Sequence, residues 1–424
     1  MEAGTEFERK LLESGVEVVG QPMEGVESAA IGFLIGTGAR DEDRSSFGVS
    51  HFVEQMLFRG TEHLGARELS ERFDAMGINH NSSTGMEMTL VSAVLIGTRV
   101  PEAIDLMTDV VRFPAFPEDA LDSVRSLLLQ EMRQRDDRPA RKVMDMLREQ
   151  FYKGSPLSND VLGTPETLES LGHSDLLSYW RERYSANNVL VSLAGHFNWD
   201  EVVAQLARVT AGWSSGAGRL VAHEPEPRAG IKVEHRDSAQ ENIGIAFLAV
   251  PVTDPHYYAA GLAAQALGSG SNSRLFREVR EKRGLAYAVQ ARFDGFEKTG
   301  LVRIYVGTKP ERAHESVEVI LEELRKLEEN GIDDEELRLA KTKLKSQLVM
   351  RSESTAARMA ANLRSWWYEQ ELHSLQDIKD RIDRVTVDEI RELMESLRIT
   401  STLAGVAIGP RSEDELFAGL LAHS

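Results

Sequence analysis

The feature that most constrains the fold is a recurrence in the order of elements. In the first half, alternating apolar and polar residues at 9–20 and 27–38 predict two paired strands, with Ala29, Ile31, Phe33 and Ile35 on one face. A short helix follows near residue 50, then a helix over 67–76 stopped by Gly77. The polar segment Asn79-His80-Asn81-Ser82-Ser83-Thr84 leads into a strand through Met86, Met88, Leu90, Ser92 and Val94. Helices over 101–113, 117–135 and 167–184, a buried strand over 189–196 and a helix over 199–212 complete this half. The second half replays the outline: a strand at 241–250, helices at 255–268 and 272–282, strands at 286–295 and 300–307, and a helix at 312–330. Long helices over 334–372 follow, then a helix, a strand and a short helix at 386–397, 402–408 and 413–422. Residues 214–230 are rich in Gly, Ser, Pro and charge and have no period. At 424 residues the chain exceeds one ordinary core. The reading is α+β, with two similar domains at 1–216 and 231–424 joined by a linker at 217–230, each a mostly antiparallel sheet packed with helices.

Composition sets bounds on chemistry. Net charge of −19 argues against nucleic acid and anionic membrane surfaces and mildly favours neutral or basic ligands. With no Cys, disulfides and thiolate metal sites are excluded, and any zinc must use His, Asp or Glu. The start, Met1-Glu2-Ala3-Gly4-Thr5-Glu6, lacks the basic and apolar regions of a signal peptide, and no apolar run reaches spanning length. The expectation is a cytoplasmic protein.

Chemistry concentrates in Gly48-Val49-Ser50-His51-Phe52-Val53-Glu54-Gln55-Met56-Leu57-Phe58-Arg59-Gly60-Thr61. Its apolar residues predict a short buried helix with Ser50 as N-cap. Helical spacing then aims His51, Glu54 and Gln55 into one small volume. With His at position 55 the segment would read H-x-x-E-H, in which two imidazoles hold zinc and the Glu is the general base. On the helix over 117–135, Val124, Leu127, Leu128 and Glu131 share a face by 3–4–7 spacing. A carboxylate on an apolar face must be paired or metal-bound. From the helix alone, an ordinary ion pair is the simpler account of Glu131. His80 reads as a surface turn residue rather than a substitute ligand, and Trp366 and Trp367 as core or interface aromatics.

The stretch 48–61 resembles the active-site helix of the pitrilysin and mitochondrial processing peptidase family of inverted zincins, and the likeness covers nearly the whole chain. The resemblance implies a third zinc ligand on a downstream helix. Gln130-Glu131-Met132 matches it, with 131 − 55 = 76 residues between Glu131 and Gln55. A further family Glu two turns earlier is Val124 here. The family's Arg and Tyr, seven positions apart, match Arg280 and Tyr287 (287 − 280 = 7) within Ser273-Arg274-Leu275-Phe276-Arg277-Glu278-Val279-Arg280-Glu281-Lys282-Arg283-Gly284-Leu285-Ala286-Tyr287. Such a pair polarises the scissile carbonyl and donates to a developing oxyanion. Asn81, Ser82, Ser83 and Thr84 resemble the family's edge strand, which takes substrate as an added strand.

The departure is Gln55, which makes the motif H-x-x-E-Q. A neutral amide oxygen is a poor zinc ligand beside imidazole. The implied metal set is His51, Gln55 and Glu131, degenerate, with zinc expected of the family but weak or absent in this chain. The bland role for Gln55 is a packed amide satisfying Glu131 or Glu54. Three functions follow from the resemblance. The first is the substrate-binding, non-catalytic subunit of a heterodimeric peptidase acting on short or unfolded peptides, partnered by a homologous subunit carrying H-x-x-E-H. The second is a self-dimeric zinc endopeptidase with a changed position 55, in which Glu54, Arg280 and Tyr287 are catalytic. The third is a scaffold like the core subunits of a respiratory complex, which has no need of Arg280 and Tyr287.

Overall fold

The computed structural model describes residues 7–421, so the acidic start at 1–6 and residues 422–424 lie outside the described residues. Two compact units are present, each built on one sheet.

In the first unit, strands β1 (Glu8–Leu11), β2 (Glu17–Pro22), β3 (Ser28–Ile35), β4 (Asn79–Thr84), β5 (Thr89–Ile96) and β6 (Val189–Gly195) form a sheet of order β1-β2-β6-β3-β5-β4. β2 and β6 are parallel, and all other pairs are antiparallel. The expected pairing of 9–20 with 27–38 is corrected in two ways. A turn at 12–16 splits the first stretch into β1 and β2, and β6 lies between β2 and β3. β6 is buried along its whole length, so it takes an interior place where both edges are paired. The polar segment 79–84, whose composition reads as a lead-in to the next strand and whose resemblance implies an edge strand at 81–84, is the edge strand β4.

The second unit holds β7 (Gly230–His235), β8 (Glu241–Ala249), β9 (Ala286–Gly295), β10 (Gly300–Thr308) and β11 (Ala404–Gly409) in the order β7-β11-β8-β10-β9. β7 and β11 are parallel and the rest antiparallel. Strand for strand this repeats β2-β6-β3-β5-β4, in order and in sense. The recurrence read in the sequence is therefore a repeated α+β topology.

Helices α1 (Val49–Met56), α2 (Ala66–Ala75), α3 (Val100–Arg112), α4 (Glu118–Asp136) and α5 (Pro139–Phe151) follow β3 and flank β4 and β5 in sequence. Alternation gives each sheet two apolar faces, and both need cover. In the first unit, Ile31, Phe33, Val191 and Leu193 join the core formed with α1 and α3. The opposite face, Val19, Ala30, Leu34, Leu190 and Ala194, is covered by the helix Thr355–Glu369 through Met359, Leu363, Trp366 and Trp367. The second unit mirrors this. α5, which the sequence reading did not anticipate, buries Val143, Met146, Leu147 and Phe151 and lies across β8, β10 and β11. Each sheet thus takes one covering helix from the other half of the sequence. The compact units are discontinuous as a result: residues 133–158 belong to the second and 349–375 to the first. This departs from the linear division expected at 217–230. No helix among the described residues is long and apolar enough to cross a membrane.

Candidate functional site

α1 begins at Gly48, not at Ser50. Gly48 has φ 90°, and a Cβ there would lie 2.9 Å from the Leu162 carbonyl oxygen, so a side chain is excluded on both counts. The cap comes from outside the helix. The Gly48 and Ser50 N–H groups each donate to the Glu42 carboxylate at 2.8 Å, which satisfies two orphan donors and places negative charge at the helix N-terminus. Burial pushes the Glu42 carboxyl up to about 7 despite these bonds. The Ser50 hydroxyl, freed from capping, shares a 2.6 Å hydrogen bond with the Tyr179 hydroxyl, which also meets the Thr37 hydroxyl at 2.7 Å. Glu42 and Tyr179 were not singled out from sequence. Glu42 lies in an aperiodic polar loop, and Tyr179 comes from a helix more than a hundred residues away.

One turn into α1, four donors converge on Glu54, which is fully buried. Gln55 Nε2 donates to Oε1 at 3.1 Å, and the Ser82 hydroxyl donates to the same oxygen. His51 Nδ1 lies 2.9 Å from Oε2, and the Thr84 hydroxyl donates to it at 3.3 Å. A carboxylate has about four lone-pair sites, and here all are filled. The other ring nitrogen, His51 Nε2, lies 3.0 Å from Glu131 Oε2 on α4. Both imidazole nitrogens therefore face carboxylates, an arrangement that suits the doubly protonated ring. Burial opposes that charge, but the hydrogen bonds that the ring donates to Glu131 and Glu54, with their negative charges, outweigh it and raise His51 to about 9.

The structure thus brings His51, Glu54, Gln55, Ser82, Thr84 and Glu131 into one cluster in the first unit. Strand alternation points Ser82 and Thr84 at α1 and leaves Asn81 and Ser83, both exposed, on the other face of β4. His80 is not a turn residue. It lies on β4, its ring stacked at 4.5 Å on Phe58 and tilted at 4.5 Å against Phe73. The apolar face of α4 also needs correction: Val124, Leu128 and Met132 are its buried line, while Leu127 is 44% exposed. The Glu131 side chain is 41% exposed, so it sits at the margin of that face rather than within it.

Do these residues fit zinc? A catalytic site needs three donors with lone pairs turned to the metal. Here both nitrogens of His51 are committed to carboxylates, and the Gln55 side chain is turned to Glu54. Among the described residues no group of three His, Cys, Asp or Glu is placed to hold a metal ion. The donor set does not fit a three-ligand catalytic zinc. Val124, where the family has a further acid, is buried in the apolar core.

Arg280 and Tyr287 belong to the second unit. The expected helix over 272–282 contains a π-helical segment, Phe276–Glu281, whose wider turn carries Arg280. The Arg280 guanidinium lies 4.9 Å from the centre of the Phe276 ring. Tyr287 is 45% exposed and donates to Gln240 Oε1 at 2.9 Å. Trp366 and Trp367 are buried, with Arg9 over the first at 4.2 Å and Arg219 over the second at 4.1 Å.

Comparison with known proteins identifies the family. The profile of the family described as Insulinase (Peptidase family M16) matches residues 18–165, and that of the Peptidase M16 inactive domain matches residues 170–344. An uncharacterized zinc protease of Streptomyces coelicolor is 32% identical over 395 residues, covering 90% of this chain and 85% of the relative. An uncharacterized zinc protease of Bacillus subtilis is 29% identical, covering 95% and 98%. Among solved structures, a peptidase M16 inactive domain from Pseudomonas fluorescens shares the fold with a TM-score of 0.90 at 23% identity, over 96% of this chain and 98% of that one. A chain of Complex III2 from Candida albicans does so with a TM-score of 0.82 at 18% identity, over 95% and 96%. The chain belongs to peptidase family M16, the pitrilysin-like family of zinc proteases.

Proposed function

We propose that this chain is the substrate-binding, non-catalytic subunit of a heterodimeric M16 peptidase that acts on short or unfolded peptides. The observation that carries the reading is the saturation of Glu54. A general base needs a lone pair free for a water proton, and all four sites on Glu54 meet protein donors, Gln55 among them. The second support is β4, which lies at the edge of its sheet and leaves one backbone row for an added strand. In this reading Asn81, Ser82, Ser83 and Thr84 form the receiving strand, Arg280 and Tyr287 act on the peptide carbonyl, and zinc is held by a homologous partner carrying H-x-x-E-H. The test is reconstitution. This chain and such a partner, each inactive alone on a quenched unfolded peptide, cleave it when mixed, and Tyr287→Phe in this chain lowers the rate of the mixture. Full activity of the partner alone, or of the mixture with Tyr287→Phe, refutes the assignment.

Two other readings each have one observation in their favour. Near-full-length relatives named zinc proteases favour a self-dimeric peptidase with an altered position 55. The fold likeness to a Complex III2 chain favours a scaffold.

A further inference from the structure

A second cluster of charge lies in the second unit. A cavity of about 310 Å³ opens between α5 and the outer strands β9 and β10, lined by Arg141, Asp145, Gln290, Arg292, Arg303 and Tyr305 among others. Register makes this arrangement costly. Arg292 on the edge strand β9 stands directly opposite Arg303 on β10, and Gln290 stands opposite Tyr305. Like charges facing across an antiparallel pair are destabilising. Arg303 is relieved by its ion pair with Asp294. Arg292 and Arg141 have no ion pair or side-chain hydrogen bond among the described residues. With Asp145 in the lining and Asp294 paired to Arg303, three guanidiniums meet two carboxylates, a local balance of 3 − 2 = +1 in a chain whose net charge is −19. A basic recess of this kind runs against the preference for neutral or basic ligands that the overall charge suggests.

The recess shares a sheet face with Tyr287. Side chains at 303, 305 and 307 point the same way along β10. A Cβ at Gly307 would lie 2.5 Å from the Tyr287 ring and 2.7 Å from the Tyr305 hydroxyl oxygen, so Tyr287 lies over Gly307 on that face. The irregularity in register between Gly307 and Thr308 lets Tyr287 turn there. From Gly307 to Arg303 is four residues of strand, about 13 Å, or about four residues of an extended peptide.

We propose that Arg141 and Arg292, beside the Arg303–Asp294 pair, form a carboxylate-binding subsite for the peptide, about four residues from the position contacted by Tyr287. The ligand is an acidic side chain or the peptide's C-terminal carboxylate. Guanidinium forks take carboxylates in paired hydrogen bonds, and the Tyr305 hydroxyl and Gln290 amide flank them as further polar groups. The peptide part of this proposal rests on the reading in the preceding subsection; the anion site does not.

The experiment uses the full chain and fluorescein-labelled extended peptides that differ only in charge: Glu against Gln within the sequence, and a C-terminal acid against an amide. Anisotropy at low salt should show about tenfold tighter binding for the charged member of at least one pair, the side-chain pair or the terminal pair identifying the source. Arg141→Gln/Arg292→Gln should abolish that preference and leave the uncharged peptides' affinity unchanged. Both positions are exposed, so the variant should keep its circular dichroism and melting temperature. Equal affinities within both pairs, or a preference that survives the double variant, overturn the proposal. A citrate titration read by thermal shift provides an arm without peptide. Citrate should stabilise the parent chain more than the double variant. Should no peptide bind at all, the peptide-binding reading fails and citrate decides the anion site: equal shifts in the two proteins overturn it.

Discussion

Glu54→Gln removes the buried charge at the centre of the cluster while nearly preserving its shape. Glu54 is the fully buried of the two carboxylates that hold His51, and Glu131 is screened by its 41% exposed side chain. His51 is raised from 6.5 to about 9 in the folded chain, which corresponds to about 3 kcal/mol of stability. Because the folded value is the higher one, this contribution is complete below pH 6.5 and is lost as pH rises through about 9. In Glu54→Gln the imidazole keeps the Glu131 bond but loses the hydrogen bond and charge of Glu54, so its titration falls below the parent's. The variant should therefore lose the Glu54 share of that roughly 3 kcal/mol at pH 6, on top of a smaller pH-independent loss, and this pH-dependent difference should vanish above pH 9. Urea unfolding at pH 6 and pH 9.5 measures the difference. Histidine side-chain NMR gives the His51 midpoint directly. A destabilisation equal at both pH values, or a His51 midpoint near 6.5 in the unaltered chain, would refute the account of a charged imidazole held between carboxylates.

Other substitutions test separate parts of the structure. Gln55→His should remove the Gln55 bond to Glu54, gain zinc and confer some chelator-sensitive peptidase activity. Adding Tyr287→Phe should lower that rate while sparing zinc content as measured by mass spectrometry. Glu42→Ala strips the acceptor from two buried N–H groups at the start of α1 and should cost about 1–3 kcal/mol in urea unfolding. Since burial lifts Glu42 to about 7, the parent chain should lose stability as pH rises from 4.5 through 7, and Glu42→Gln should flatten that slope. Trp367→Ala should cost about 3–5 kcal/mol and speed hydrogen exchange in β3 and β6, because this buried ring covers the second face of the first sheet.

What the sequence disclosed follows from the range of the interactions involved. His51, Glu54 and Gln55 could be grouped because three- and four-residue spacing fixes side-chain neighbours within a helix. Most of the repeated strands were readable from apolar runs and period-two alternation, but β7 was not read and the polar β4 shows no such pattern. The start of α1 was misassigned to Ser50 because its cap, Glu42, reaches in from a loop with no pattern of its own. α5 carried a readable signal in Pro139 followed by Val143, Met146, Leu147 and Phe151, but the charged run Asp136-Asp137-Arg138 before it reads as a stop. The exchange of covering helices left no local trace. Nothing within Met359, Leu363, Trp366 and Trp367 says that Ala30 and Leu34, more than three hundred residues earlier, lie beneath them. The facing of Arg292 and Arg303 likewise depends on strand register, which composition does not report.

The central claim is that position 55 has converted a zinc site into a closed cluster of hydrogen bonds. Zinc stoichiometry of the purified chain after mild chelation, measured alongside cleavage of a quenched unfolded peptide, tests it most directly. The account predicts zinc well below one per chain and no cleavage by the chain alone. One zinc per chain, retained through chelation and lost together with peptide cleavage in His51→Ala, would contradict it.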